Sequence, residues 1–342
     1  MKIKNKLSLI LSSLAMMFVF TSCLNDEAVE NQEYGLIDLN ANKIIEIPAG
    51  GNHTADITSL DEGVKIFKQE VRLAAEKPAQ EDIVVHLEIV SDRNTVLAAV
   101  RELLSDKYPK EGDNAVADED IYTYPVSSIS VPATVTIPKG ARSVELPISI
   151  DTHLLTPEIQ FALIRIKSVE NDGYIISGNF GQLLLNMKLK HKYAGRYALT
   201  GTMDHLPSPG AYVHITNYPG MNPFPVQLQT LDGKSIVMFD EVGFGDYIYP
   251  MMTATGGFSG WGSFAPVFTF DDAGNITAVT NLYGQPAGNS RSAELDPSGV
   301  NKYDEATKSF QVSYWMNQPS VVTTPPHHRC HMVETYTFIE DL

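Results

Sequence analysis

Ile83-Val84-Val85-His86-Leu87-Glu88-Ile89-Val90 places Ile83, Val85, Leu87 and Ile89 on one side of an extended chain. His86 and Glu88 fall on the other side, and apolar residues at every second position mark a strand with one buried face. The pattern recurs on both sides of this stretch. Ile44-Ile45-Glu46-Ile47 stops at Pro48, and Val64, Ile66, Val71 and Leu73 alternate with a change of phase that a β-bulge would explain. Further runs follow at Ile129-Ser130-Val131, Thr134 to Ile137, Ser143 to Ile150, Phe161 to Ile166 and Gln182 to Met187, with a turn at Pro138-Lys139-Gly140. One helix interrupts them. Asn94-Thr95 is placed to cap it, and Leu97, Val100, Leu103 and Leu104 share its apolar stripe. Some seven to nine short strands with regular turns predict an immunoglobulin-like β-sandwich over residues 34–188, the helix serving as a crossover.

The basic spot Lys188-Leu189-Lys190-His191-Lys192 marks a boundary, and residues 189–342 form a second domain. Of the 31 aromatic residues, 21 lie in 193–342, both tryptophans among them, so the second core must be built differently from the first. Strand-like runs open at Tyr193 to Gly201 and continue at Tyr212 to Thr216, Val226 to Leu231, Ser235 to Asp240 and Tyr247 to Thr253. Others follow at Ala265 to Phe270, Ile276 to Thr280, Phe310 to Met316 and Glu334 to Ile339. This spacing suits a lipocalin-like antiparallel β-barrel of about eight strands. The fold class expected is all-β.

At the start of the chain, Lys2, Lys4 and Lys6 precede an apolar run from Leu7 to Phe20 and then Thr21-Ser22-Cys23. A basic, apolar and small-residue succession is an export signal over residues 1–22. The run is shorter than the roughly 20 apolar residues a membrane-spanning helix needs. Cysteine after the small pair resembles a bacterial lipobox, which implies lipidation of Cys23 and anchoring by two or more acyl chains. Residues 23–33, acidic and without periodicity, read as a flexible tether. An acidic stretch at this place resembles the Bacteroidetes signal for the outer face of the outer membrane. The whole sequence holds 25 basic and 41 acidic side chains, a net −16, or −19 once Lys2, Lys4 and Lys6 are removed. Such a surface repels nucleic acid and anionic lipid, so neither is an expected partner, and membrane contact would run through the lipid anchor alone. With Cys23 lipidated, Cys330 has no cysteine to pair with.

Chemistry is concentrated in the second half. Tyr247-Ile248-Tyr249-Pro250 leads to Gly256-Gly257-Phe258-Ser259-Gly260-Trp261-Gly262, where glycines on both sides permit an exposed loop. Flat aromatic rings with a polar edge suit the C–H face of a sugar, so Tyr247, Tyr249, Phe258, Trp261 and Trp315 are the candidate glycan-binding residues. The alternative is that Phe258 and Trp261 fill the barrel, and Trp315, on the strand face opposite Phe310 and Tyr314, fits core or groove. Asp240-Glu241 and Asp271-Asp272 offer carboxylates, but both pairs stand in turns, where solvated acids are the expectation rather than a hydrolytic pair. His327, His328, Cys330 and His331 are ligand types for zinc, yet alternation along a strand would turn His327, Arg329 and His331 one way and His328 and Cys330 the other. No nucleophile elbow, phosphate loop or zinc-protease helix occurs, and neither catalysis nor a cofactor or metal is expected.

Ser127-Ser128-Ile129, Val135 to Gly140, Leu146 to Asp151, Ala162 to Ile166 and the Asp172-Gly173 turn resemble the N-terminal domain of a family of Bacteroidetes surface lipoproteins, a domain of unknown function. Tyr193 to Gly201, the Tyr303 to Thr307 turn and Glu334 to Phe338 resemble its lipocalin-like C-terminal partner. Members are encoded beside the transporter and glycan-binding lipoprotein of polysaccharide-utilisation loci, and some carry a glycoside hydrolase domain. The length here leaves no room for such a domain, which needs about 250 residues. The resemblance implies a non-catalytic outer-surface lipoprotein that binds an extracellular polysaccharide or oligosaccharide for a neighbouring transporter. Two alternatives stay open: a structural or adhesin subunit docking on a protein such as the outer-membrane transporter complex, and a cryptic glycoside hydrolase.

Overall fold

The computed structural model describes residues 43–48 and 54–342. Cys23 and its tether lie outside the described residues. The chain is all-β, with one α-helix among the described residues: a two-sheet sandwich followed by a nearly closed antiparallel barrel.

In the sandwich, one sheet runs in the order Tyr174–Ile176, Lys43–Glu46, Val64–Ala74, Ser143–Asp151, Ile129–Ser130. The other runs Thr54–Ser59, Gln182–Leu189, Gln160–Val169, Ile83–Ile89, Thr134–Ile137. Ile83, Val85 and Leu87 point into the shared core with Ile148, Ile150, Ile164, Leu183 and Leu185, as their alternation requires. Strand Val64–Ala74 departs from expectation. It pairs with Ser143–Asp151 in unbroken register from Val64 opposite Asp151 to Arg72 opposite Ser143, so there is no bulge. Phe67, Val71 and Leu73 face the core, and Val64 and Ile66 face solvent, 68% and 65% exposed. The helix Arg93–Leu103 lies on the outer face of the second sheet, burying Val96, Leu97, Ala99 and Val100 with Phe161, Leu163 and Leu184. Its N-cap is Asp92, not Asn94 or Thr95: the Asp92 carboxylate accepts from Thr95 N at 2.9 Å. That carboxyl is held below its ordinary range by the Thr95 hydroxyl and amide it binds.

The apolar cores change over between Leu189 and Tyr193. The crossing residues bond to both sides. Leu189 N donates to Thr156 O at 2.7 Å, Lys190 N to Ser59 O at 2.8 Å, and His191 N to Thr230 Oγ1 at 3.0 Å.

Eight strands run through the barrel sheet in the order Ile276–Asn281, Pro266–Phe270, Ser235–Phe239, Phe224–Thr230, Gly195–His205, His328–Glu340, Ser309–Asn317, Ser292–Leu295, and a ninth, Lys302–Asp304, pairs with Ser309–Asn317 off that path. The two edge strands lie beside each other without a backbone ladder. Gln285 bridges the seam: its Nε2 donates to Ala293 O at 2.5 Å, and its Oε1 accepts from Ala293 N at 2.8 Å and Asn281 N at 3.2 Å. A side-chain amide thus stands in for a strand at the one open place in the ring. Tyr212–His214 and Tyr249–Thr253, expected in the barrel, instead join Phe258–Trp261 in a small three-stranded sheet. This sheet closes over the interior, because Tyr249, Met251 and Trp261 belong to the barrel core.

Candidate functional site

The barrel interior is packed with side chains, and the Glu334 carboxylate lies among them with no exposure. A buried charge is tolerable only when it is fully hydrogen-bonded. Tyr249 Oη donates to Glu334 Oε1 at 2.6 Å, and His214 Nε2 donates to the same oxygen at 3.2 Å. Tyr336 Oη and Tyr314 Oη donate to Oε2 at 2.7 and 3.0 Å. His214 Nδ1 accepts from Thr216 N at 3.3 Å, which assigns the ring proton to Nε2. Burial first, and the Glu334 charge second, push all three tyrosine hydroxyls well above their ordinary range. Tyr249, a predicted sugar-stacking residue, is therefore a core residue: its hydroxyl is committed to Glu334 and its ring is sealed inside.

Trp261 is corrected in the same way. Phe258–Trp261 is a strand paired with Tyr249–Thr253, not an exposed loop, and the indole is 3% exposed. Its ring carries two guanidiniums, with Arg329 Cζ 4.3 Å and Arg291 Cζ 5.1 Å from the centroid, while Tyr212 meets it edge-on at 4.9 Å. Its Nε1 is buried without an acceptor among the described residues. Arg329 arrives there through a β-bulge. Met316 pairs with Cys330 and Asn317 with His328, so Arg329 is the extra residue, re-aimed at the barrel rim. The two arginines share an acceptor: Arg329 Nη1 donates to Gln318 Oε1, as does Arg291 Nε at 3.3 Å. Arg291 Nη1 also donates to Gly262 O, and Arg329 Nε to His205 Nε2 at 3.3 Å.

The same bulge explains the histidines. His328 and His331 do not point opposite ways; both stack on Trp315, at 4.1 and 3.9 Å, and leave that indole half-buried on the outer barrel face. His331 Nε2 is held by Asp296 Oδ2 at 2.8 Å. Cys330 faces the core, and burial pushes its thiol up to about 12. His327 precedes the strand in the left-handed region, φ 68°. Among the described residues no three His, Cys, Asp or Glu side chains converge on a metal position.

Phe258 has a different surrounding. It lies half-buried between Tyr218, 5.7 Å away, and Phe244, 5.4 Å away, with Phe224 beneath at 6.4 Å. Phe244 is 42% exposed and is delivered by a loop built on Asp240. The buried Asp240 carboxylate accepts from Val242 N and Gly243 N at 3.0 Å each and from Phe244 N at 2.9 Å. A Cβ at Gly243 would come within 2.1 Å of the Phe258 ring, and one at Gly260 within 2.6 Å of Phe244, so the rings lie on bare backbone. Tyr218, Phe258 and Phe244 form a partly exposed aromatic row whose geometry is fixed in advance. Tyr247 stands apart from it, packed on Phe239 at 5.2 Å, bonded to Gln229 Oε1 at 2.6 Å and lining a cleft of about 280 Å³ with Pro157 and Glu158. A second cleft, about 200 Å³, lies at the junction among Asp61, Lys190, Tyr193 and Asp271, and contains none of the five predicted aromatics.

The five residues are thus not one site. Phe258 alone joins an exposed aromatic group, and its partners Tyr218 and Phe244 were not foreseen. Gly243-Phe244-Gly245 carried the signal, an aromatic between two glycines. Arg291 had none, since its neighbourhood is made by segments far apart in sequence. Of the acids expected to be solvated, Asp240 is instead buried under its own loop amides and Glu241 is half-buried in an ion pair with Arg196 at 2.6 Å, whereas Asp271 is exposed and accepts from Asn275 N at 2.8 Å.

No protein-family model matches the chain, and no curated protein matches it. Solved structures do. A Bacteroides ovatus protein of unknown function is 12% identical with a TM-score of 0.52, covering 88% of this chain and 95% of its own. A multidomain B. ovatus protein including DUF1735 is 13% identical with a TM-score of 0.42, covering 86% and 92%. A candidate carbohydrate-binding protein of B. ovatus is 8% identical with a TM-score of 0.36, covering 87% and 99%. At such identities the first of these likenesses establishes a shared β-rich fold and nothing further.

Proposed function

We propose that the protein is a non-catalytic, lipid-anchored receptor for an extracellular glycan, displayed on the outer membrane through Cys23. The observation that carries the reading is the aromatic row Tyr218–Phe258–Phe244. Its outermost ring is exposed on a loop that the Asp240 carboxylate fixes before any ligand arrives. A preorganised apolar ring gains the C–H face of a sugar without the cost of ordering a loop. The test is retardation of the purified protein in gels containing neutral and acidic polysaccharides, beside Phe244→Ala. Phe244 is exposed, so its truncation spares the core. The variant is expected to bind about tenfold more weakly, about 1.4 kcal/mol.

A second reading, docking on a transporter complex, is supported by the exposed pair Val64 and Ile66 on one face of the sandwich. It predicts co-purification of a membrane protein that is lost in a Val64→Lys, Ile66→Lys double variant.

A further inference from the structure

We propose that Arg291 and Arg329 receive the carboxylate of an acidic sugar, a uronate carried singly on a largely neutral polymer. This rests on the glycan-binding reading and adds a subsite at the opposite end of the strand Phe258–Trp261, about 10 Å from the aromatic row at ~3.3 Å per residue.

The two guanidiniums lie over one indole and share one neutral acceptor, Gln318 Oε1. Neither pairs with a carboxylate among the described residues, although the chain has 41 acidic side chains against 25 basic. Two like charges held together in this way repel, and an anion between them relieves the repulsion. Burial, then the neighbouring Arg329 charge, pull Arg291 below its ordinary value. Each arginine has five N–H donors in a planar fork. The Nη2 groups of both remain without a hydrogen-bond partner among the described residues, and neither is sealed from solvent. A carboxylate matches two such forks in shape and charge.

The surrounding backbone is set for this placement. Ser263, Ser290 and His327, at φ 50°, 63° and 68°, adjoin the segments that deliver Trp261, Arg291 and Arg329. They are three of the five non-glycine residues in the left-handed region among the described residues, and such conformations collect where geometry is imposed for function. The acidic surface, a net −16 over the whole sequence, selects against a densely charged polyanion, because each of its charges would meet that surface at close range. Beyond about 8 Å that field is screened at physiological salt, so one isolated carboxylate feels mainly the arginines.

The test uses glucuronoxylan and gum arabic, each compared with the same polymer after reduction of its carboxyls to alcohols. Affinity is read by gel retardation for the wild type, Arg291→Gln and Arg329→Gln. The wild type is expected to bind at least one native polymer about tenfold more tightly than its reduced form. Each variant is expected to hold both forms at the level of the reduced one. The comparison of native with reduced polymer on the wild type does not depend on either variant folding. Equal wild-type affinity for both forms, or binding to neutral polymers alone, would overturn the acidic subsite and leave the glycan receptor standing. Binding to no polymer, neutral or acidic, would overturn both.

Discussion

Removing the Glu334 carboxylate would take from three tyrosine hydroxyls and the His214 N–H their charged acceptor in a sealed interior, with Met238 Sδ, 3.7 Å from Tyr336 Oη, as a weak substitute. Glu334→Ala is therefore expected to cost at least about 3 kcal/mol, the range for breaking a buried charged network. Tyr336→Phe, which deletes one donor and no charge, should cost about 1.5–3 kcal/mol. Urea unfolding checks both, and a Glu334→Ala loss smaller than that of Tyr336→Phe would remove the carboxylate from its central place. At this scale the sequence was a partial guide. That Trp315 lies on the strand face opposite Phe310 and Tyr314 follows from period-two alternation, whereas which face is buried is decided by the barrel, with Phe310 and Tyr314 inside. The fate of Trp261 does not, because it depends on Arg291 and Arg329, thirty and sixty-eight positions away, coming to lie on its ring. Nothing local to Gly260-Trp261-Gly262 distinguishes a ring offered to solvent from one covered by cations.

Among the elements, the Asp240 loop offers the sharpest check. Asp240→Ala removes the two carboxylate oxygens that accept from the Val242, Gly243 and Phe244 amides, with an expected stability loss of about 2 kcal/mol. Hydrogen exchange at those amides should accelerate, and glycan affinity should fall with Phe244 present but no longer held. Unchanged exchange would mean that the loop is held by something else. Strand Ile83–Ile89 was legible because one sheet face is buried and the other is not. Strand Phe258–Trp261 was not, because its glycines read as a loop, although its ladder partner, Tyr249–Thr253, precedes it directly as the first arm of a hairpin. Val64 and Ile66 misled in the opposite sense: they are apolar but face outward, so the supposed phase change was a strand in constant register.

For the whole molecule, the two cores are joined by a crossing segment in which His191 is buried, its Nδ1 accepting from Tyr193 N at 3.1 Å. Burial pulls that imidazole down to about 4 from an ordinary 6.5. A depressed histidine favours the fold in its neutral form. Its contribution is complete above pH 6.5 and is lost as pH falls toward 4, a change of up to ~3 kcal/mol. His191→Asn should flatten the decline in urea midpoint across this window, and an unaltered slope would assign the acid sensitivity to other groups. The all-β architecture was readable from alternation and turn chemistry. The closing sheet was not, because Tyr212–His214 joins Tyr249–Thr253 from far away in sequence, and the seam was not, because there the Gln285 amide replaces the ladder expected between two successive strands. The central claim concerns the molecule as a receptor, and affinity gel electrophoresis of the wild type beside Phe244→Ala on one panel of polysaccharides tests it most directly. Retardation by at least one polymer, about tenfold weaker in the variant, is the predicted result. Equal retardation of both proteins, or of neither, would contradict it.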